Sequence, residues 1–241
     1  MPAIAIADRA ALGDLVIANR ILAHEGVLDA FGHVSIRHPE RPDQYVISRS
    51  LGPAYVTEAD LQCYAISGEQ VSGDERPGYL ERPIHAAIYE ARPDVLAICH
   101  NHSPSVIPYG VTGVPVRPIF HAASLIGAEV PTWDIAEEFG DTDLLVRTLE
   151  QGRSLARTLG PRRVALMRGH GSVVGGPTIR AVVQACVYME RNALLQLQAM
   201  AIGDVRYLSA GEVERASRML QEPVVSNRTW DTWRERASLP Q

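Results

Sequence analysis

Apolar residues recur at helical spacing from about Asp8 to Ala30, where Leu12, Leu15, Val16, Ala18 and Leu22 share one face; the pattern predicts an amphipathic helix ended by Gly32. Two short extended runs follow, His33 to Arg37 and Tyr45 to Ser48, on either side of the turn-rich Pro39-Glu40-Arg41-Pro42-Asp43. A third strand is expected from Cys63 to Ile66, closed by Ser67-Gly68. Glu81 to Ala91 returns to helical spacing and stops at Arg92-Pro93-Asp94, because a residue before proline disfavours the helix. Val95 to His100 reads as a buried strand, with a helix after Ser103. The stretch from Gly110 to Gly140 is loop-rich. Asp143 to Leu159 is predicted helical, Val164 to Met167 a strand, and Gly169 to Gly176 a glycine-rich turn segment. A long helix over Thr178 to Ala201 and two shorter ones, near Gly211 to Leu220 and Trp230 to Ala237, complete the pattern. Helices interleaved with short strands predict helices covering both faces of one sheet.

Composition narrows the function classes. The chain has 241 residues without a linker-like or repeated segment, which suits a single domain over 1–241 with a helical tail from about 209. All 23 basic residues are arginine, and lysine is absent. That excludes Schiff-base aldolases, lysine-anchored pyridoxal enzymes and P-loop nucleotide hydrolases, each of which needs a lysine amine. A formal charge of −5 argues against nucleic acid or an anionic membrane as partner. No run approaches a membrane span. The start, Met1 to Ala7, lacks a basic n-region, and Cys63, Cys99 and Cys186 are too few and too scattered for a disulfide framework; the expected setting is the cytoplasm.

Candidate chemistry gathers at three places. His100-Asn101-His102 ends the Val95 run, and side chains two apart on an extended chain share a face, so both imidazoles can reach one ion. Standing alone, the same H-x-H also suits two polar residues leaving a strand into solvent. Glu81 and His85 stand four apart on one helix face, Glu81 at the end where the helix dipole favours its charge. A capping carboxylate and a core histidine fit that spacing equally. Arg168-Gly169-His170-Gly171 follows a strand, with glycines that leave room for a ligand at the imidazole. Val174 stands where a dinucleotide fingerprint needs glycine, and Ser172 lacks a nucleophile-elbow frame. His24 and His38 read as surface residues, and Trp230 and Trp233 as anchors of the tail.

In this order the pieces resemble the class II aldolase/adducin family, over about Asp8 to Ala201 and including Gly32-His33-Val34-Ser35 and Arg92-Pro93-Asp94. The resemblance implies a three-layer α/β/α sandwich with a mixed, largely antiparallel central sheet, assembled as a homotetramer. It also implies a divalent metal, zinc foremost with manganese, iron, cobalt or magnesium as others, held by His100, His102 and His170. Glu81 is implied as ligand, acid/base or both. Where the sugar-phosphate members hold phosphate with small donors, this chain has His33, Ser50-Leu51 and Tyr79-Leu80. A phosphate dianion would lose its partners there, and a buried charge without partners is costly. The tyrosine those members take from a neighbouring subunit has no match; His121, in Ile119-Phe120-His121, is the candidate for its proton-transfer role.

The G-H-V-S-x-R opening, Ser48-Arg49-Ser50 and the Y-L-E-R-x-I-H run look instead like a branch typified by dihydroxyphthalate decarboxylases. The expected activity is therefore metal-dependent decarboxylation of a dihydroxy-aromatic carboxylate, with His33, Ser48, Arg49, Ser50 and Arg82 as substrate contacts. The two arginines are chosen because guanidinium grips carboxylate through two bonds. The rival expectations are an aldolase or epimerase acting on a non-phosphorylated hydroxy-carbonyl compound, a non-haem iron oxygenase, and a non-catalytic adducin-like assembly domain.

Overall fold

The computed structural model describes residues 4–6 and 9–238. Its strands are β1 (His33–Arg37), β2 (Gln44–Ser48), β3 (Leu61–Ala65), β4 (Gln70–Gly73), β5 (Ala97–Asn101), β6 (Thr132–Trp133), β7 (Val164–Met167) and β8 (Gly171–Gly176). They form one sheet in the order β4-β3-β2-β1-β5-β8-β7-β6. Every pairing is antiparallel except β6 with β7. The helices are α1 (Arg9–His24), α2 (Arg82–Ala91), α3 (Ile107–Thr112), α4 (Ile135–Phe139), α5 (Leu149–Leu159), α6 (Ile179–Ile202), α7 (Ala210–Leu220) and α8 (Pro223–Ser238).

Strand alternation builds a core on each face of the sheet. Val34, Ile36, Ala97, Cys99, Leu166 and Val174 pack against α1, α6 and the tail helices, with Trp230 and Trp233 buried among them. Ile98, Ala165, Met167 and Val173 pack against α2, α4 and α5. This is the α/β/α sandwich with a mixed, largely antiparallel sheet that the family resemblance implied. Among the described residues no helix is long and apolar enough to cross a membrane. The expected start of the first helix at Asp8, most of the Met1 to Ala7 stretch and the last three residues of the tail lie outside the described residues.

Several elements differ from expectation for identifiable reasons. The first helix ends at His24 rather than near Ala30, because Gly26 turns left-handed (φ 73°) and Val27 and Leu28 donate back to the Leu22 carbonyl. Gly32 instead lets β1 begin hard against β5: a Cβ there would sit 2.9 Å from the His100 carbonyl oxygen. The helix expected from Asp143 begins at Leu149, where Thr148 and Gln151 form a capping box. Residues 143–148 stay irregular, and Leu144 adopts φ 65°. The glycine-rich Gly171–Gly176 is a fully buried strand between β5 and β7. The small elements β6 and α4 interrupt the stretch that read as loop, and the hairpin strand β4 falls where no element was expected. His38 is buried, its Nε2 against the Ala5 carbonyl and its Nδ1 accepting from the Glu40 and Arg41 amides.

Candidate metal centre

The site forms where β5, the β7–β8 turn and the start of α2 meet. The two-residue period of β5 sends His100 toward the α2 face, and His102 follows just past the strand end. Asn101 points to the other face, toward Cys186 on α6. Gly169, at φ 66°, turns the chain so that His170 arrives beside them. Glu81 occupies the position before α2 but makes no side-chain cap. Its carboxylate is instead held by the Val146 amide, which donates to Oε1 at 2.9 Å.

The donor atoms of Glu81, His100, His102 and His170 all lie within 4.8 Å of one another. Glu81 Oε2 is 3.5 Å from both His100 Nε2 and His170 Nε2. The His100 and His102 Nε2 atoms are 3.1 Å apart. Backbone carbonyls set the ring orientations: Ser172 O is 3.0 Å from His100 Nδ1, and Leu144 O is 3.0 Å from His170 Nδ1. A carbonyl only accepts, so each Nδ1 carries the proton and each Nε2 of the neutral ring turns a lone pair inward. Lone pairs crowded in this way repel unless a cation lies between them. Zinc–nitrogen bonds of about 2.0–2.1 Å in a tetrahedron place ligand nitrogens about 3.3 Å apart. Three imidazoles and a carboxylate at this spacing therefore fit a divalent cation.

Electrostatics agree. Burial, then proximity to His100 and His170, lowers His102 to about 4, so this ligand stays neutral at ordinary pH. Burial alone would raise the Glu81 carboxyl, but positive charge beside it, on His100 and His170 when protonated or on a cation between them, outweighs burial and holds Glu81 ionised, below its ordinary value.

A cavity of about 380 Å³ opens over Glu81 and His102, within the usual size range for small-molecule sites. His33, Ser50, Leu51, Tyr79, Leu80 and Leu145 line it. A larger groove of about 740 Å³, between α1 and the Pro53–Tyr55 turn, contains none of the four donors. His33 stands opposite His100 in the β1–β5 register, its ring centroid 5.2 Å from that of His100.

Other expected contacts are placed elsewhere. Arg49 lies in an ion cluster, 2.8 Å from Asp60 and 3.6 Å from Asp74. Those carboxylates are already close, so the guanidinium satisfies them rather than the cavity. Arg82 lies over the Tyr64 ring at 4.8 Å and donates to the Tyr79 carbonyl, turned away from the cavity. Ser48 is buried behind Tyr79, 3.3 Å from its hydroxyl. His121 is exposed at the start of a 3-10 turn and does not line the cavity. Three contributors went unforeseen: the Val146 amide, the Leu144 carbonyl and the Leu145 wall. All three come from the irregular stretch that sequence periodicity assigned to a helix.

The sheet and its histidine–carboxylate cluster define an α/β protein with a candidate metal site at a strand end. The family model described as class II aldolase and adducin N-terminal domain matches residues 13–197, and the chain belongs to that family. Among known proteins it is similar to decarboxylase tropJ of Talaromyces stipitatus, 34% identical over 88% of each chain. It is 28% identical to 3,4-dihydroxyphthalate decarboxylase of Arthrobacter keyseri over 78% of each. Among solved structures, the L-fuculose 1-phosphate aldolase of Glaciozyma antarctica superposes with a TM-score of 0.78 at 24% identity, covering 98% of this chain and 93% of that one.

Proposed function

We propose that this chain is a metal-dependent carbon–carbon lyase that removes CO2 from a dihydroxy-aromatic carboxylate. The observation carrying the reading is the convergence of Glu81, His100, His102 and His170, of which Glu81 and His102 line a cavity with Tyr79, Leu51, Leu80 and Leu145 around it. Similarity to two named decarboxylases supports CO2 release over aldol cleavage. The apolar and aromatic walls suit a planar ring better than a phosphate.

Zinc is our choice of ion; when bound, it supplies a Lewis-acid charge able to take up the electron pair left by a broken carbon–carbon bond. The chain's own residues do the rest. His100 and His170 are oriented by the Ser172 and Leu144 carbonyls, so their lone pairs need no rearrangement. Leu51, Leu80 and Leu145 would press against a bound ring and displace water from it, which keeps a ring carbanion from random protonation. Glu81, anchored through Oε1, turns Oε2 into the site, where a substrate oxygen taking its place beside the ion would leave it able to move a proton. Because its carboxylate is ionised at rest, it first accepts a proton from a substrate hydroxyl. It then delivers that proton to the ring carbon whose bond to CO2 has broken.

Replacing Glu81 with glutamine tests this role, since the amide keeps the shape but cannot shuttle a proton. Turnover should fall by roughly 10²–10⁴ with metal content retained. Full turnover in Glu81→Gln would remove Glu81 from the proton path.

A further inference from the structure

Behind the cavity wall runs a buried chain of hydrogen-bonding groups that the reaction above does not use. His33 Nδ1 is 2.6 Å from His85 Nε2, His85 Nδ1 is 2.6 Å from Ser35 Oγ, and Ser35 Oγ is 2.8 Å from the Tyr89 hydroxyl. Three of these groups are 0–1% exposed and His33 is 2% exposed. Tyr45 lies nearly parallel to the His85 ring at 11°, which limits its rotation. The 2.6 Å gap between His33 Nδ1 and His85 Nε2 has room for one hydrogen only, shared between the two enclosed rings.

Counting hydrogens gives the chain a direction. Each neutral imidazole has one donor nitrogen and one acceptor, and each hydroxyl has one hydrogen to give. If Tyr89 donates to Ser35, Ser35 donates to His85 Nδ1 and His85 Nε2–H donates to His33 Nδ1, and every buried hydrogen in the chain has an acceptor. In the opposite direction the Tyr89 hydroxyl hydrogen has no acceptor among the described residues, and an unsatisfied buried donor costs about 1–3 kcal/mol. The satisfied arrangement leaves the remaining hydrogen of His33 on Nε2. That atom makes no hydrogen bond among the described residues, and His33 is one of the residues that line the cavity. Neither Arg49 nor Arg82 reaches the same space.

We infer that Tyr89, Ser35 and His85 lock His33 as a neutral Nε2–H donor that recognises an anionic substrate oxygen not held by the metal, so that a lone histidine does the work expected of an arginine. His85 is then a positioning residue and His33 the contact. This rests on the reading of the cavity as an aryl-carboxylate site, and it adds a specificity: one carboxylate is recognised by a neutral donor.

The test uses zinc-loaded protein and two probes, 3,4-dihydroxybenzoate and catechol, which differ by the carboxylate. His33→Ala and His85→Leu should weaken dihydroxybenzoate binding by about tenfold or more, as loss of a hydrogen bond to a charged group does, and leave catechol within about twofold. His85→Gln, which keeps an N–H able to donate toward His33, should restore most of the loss. Zinc content should stay at the wild-type level in all three. Histidine-ring nitrogen NMR of the wild type should find the His33 proton on Nε2. A proton on Nδ1, equal losses for both probes, or no loss in either variant would overturn the assignment of His33 while leaving the aryl-carboxylate reading standing. Failure of both probes to bind the zinc-loaded wild type would overturn that reading and this one together.

Discussion

Replacing Gly171 with alanine would probe how closely the metal centre depends on strand spacing. Gly171 opens β8 beside His170, and a Cβ there would lie 2.1 Å from the Asn101 carbonyl oxygen and 2.9 Å from His102 Cδ2. Ordinary contact begins near 3.4 Å. The obstructing atom is backbone, which cannot rotate aside as a side chain can, so β5 and β8 must part by roughly 1 Å in a packed interior. Metal–ligand distances tolerate about ±0.2 Å, several times less than that shift. Zinc affinity should therefore fall by about 10- to 100-fold, the range seen when the shell around ligands is disturbed. Overpacking should cost about 1–3 kcal/mol, or about 2–4 °C of melting temperature per kcal/mol for a chain of this size. Gly175→Ala is the control on the same strand, because its Cβ would meet only the movable Val95 side chain at 3.3 Å. Competition with a chromophoric chelator would measure zinc affinity, and thermal melts would measure stability. Equal zinc affinity in the two variants would refute the steric reasoning.

Two further outcomes follow from the same geometry. His85 and His102 titrate near 3 and 4 when folded, lowered first by burial, against an ordinary value of 6.5. Between those values the unfolded chain binds more protons, so metal-free protein should lose stability as pH falls from about 6.5 toward 3, and a flat melting temperature across that window would contradict the burial argument. Arg49→Ala removes one of the two arginines that hold Asp60 and Asp74, the other being Arg76, and should cost about 1 kcal/mol of stability with KM unchanged. A raised KM with an unchanged melting temperature would return Arg49 to the substrate.

The sequence made the centre legible because its donors obey local rules. A period of two puts His100 and His102 on one face of β5, and glycines flanking His170 announce a sharp turn after a strand. The strands His33–Arg37 and Val164–Met167 were readable to the residue, since turn signals bound each short apolar run. The misreadings have a common physical origin in tertiary contacts. Residues 143–148 carry helical spacing, yet the chain spends their backbone groups on Glu81 and His170. Only the Thr148–Gln151 capping box marked the true helix start. Glycines in β8 suggested a loop, whereas strand and helix neighbours simply approach too closely for side chains: a Cβ on Gly176 would lie 3.1 Å from Val182. Arg49 and Arg82 were chosen to grip a carboxylate, and the partners they have here, Asp60, Asp74 and Tyr64, come near only in the folded sheet. The four-residue spacing of Glu81 and His85 was visible, but not that His85 bonds to His33 across the sheet–helix boundary rather than joining the metal ligands.

The central claim is that the three histidines and Glu81 hold a divalent ion for decarboxylation. The most direct measurement offers carboxyl-labelled 3,4-dihydroxyphthalate and dihydroxybenzoates to zinc-reconstituted protein and follows labelled CO2. Chelator-treated protein and His102→Ala serve as the controls. We expect labelled CO2 from the zinc-loaded wild type, and from neither control above background. Release of a carbonyl fragment such as pyruvate from a hydroxy-carbonyl compound, with no CO2 from any aryl carboxylate, would contradict decarboxylation and favour aldol cleavage. Failure of the wild type to retain a divalent ion would contradict the metal centre itself.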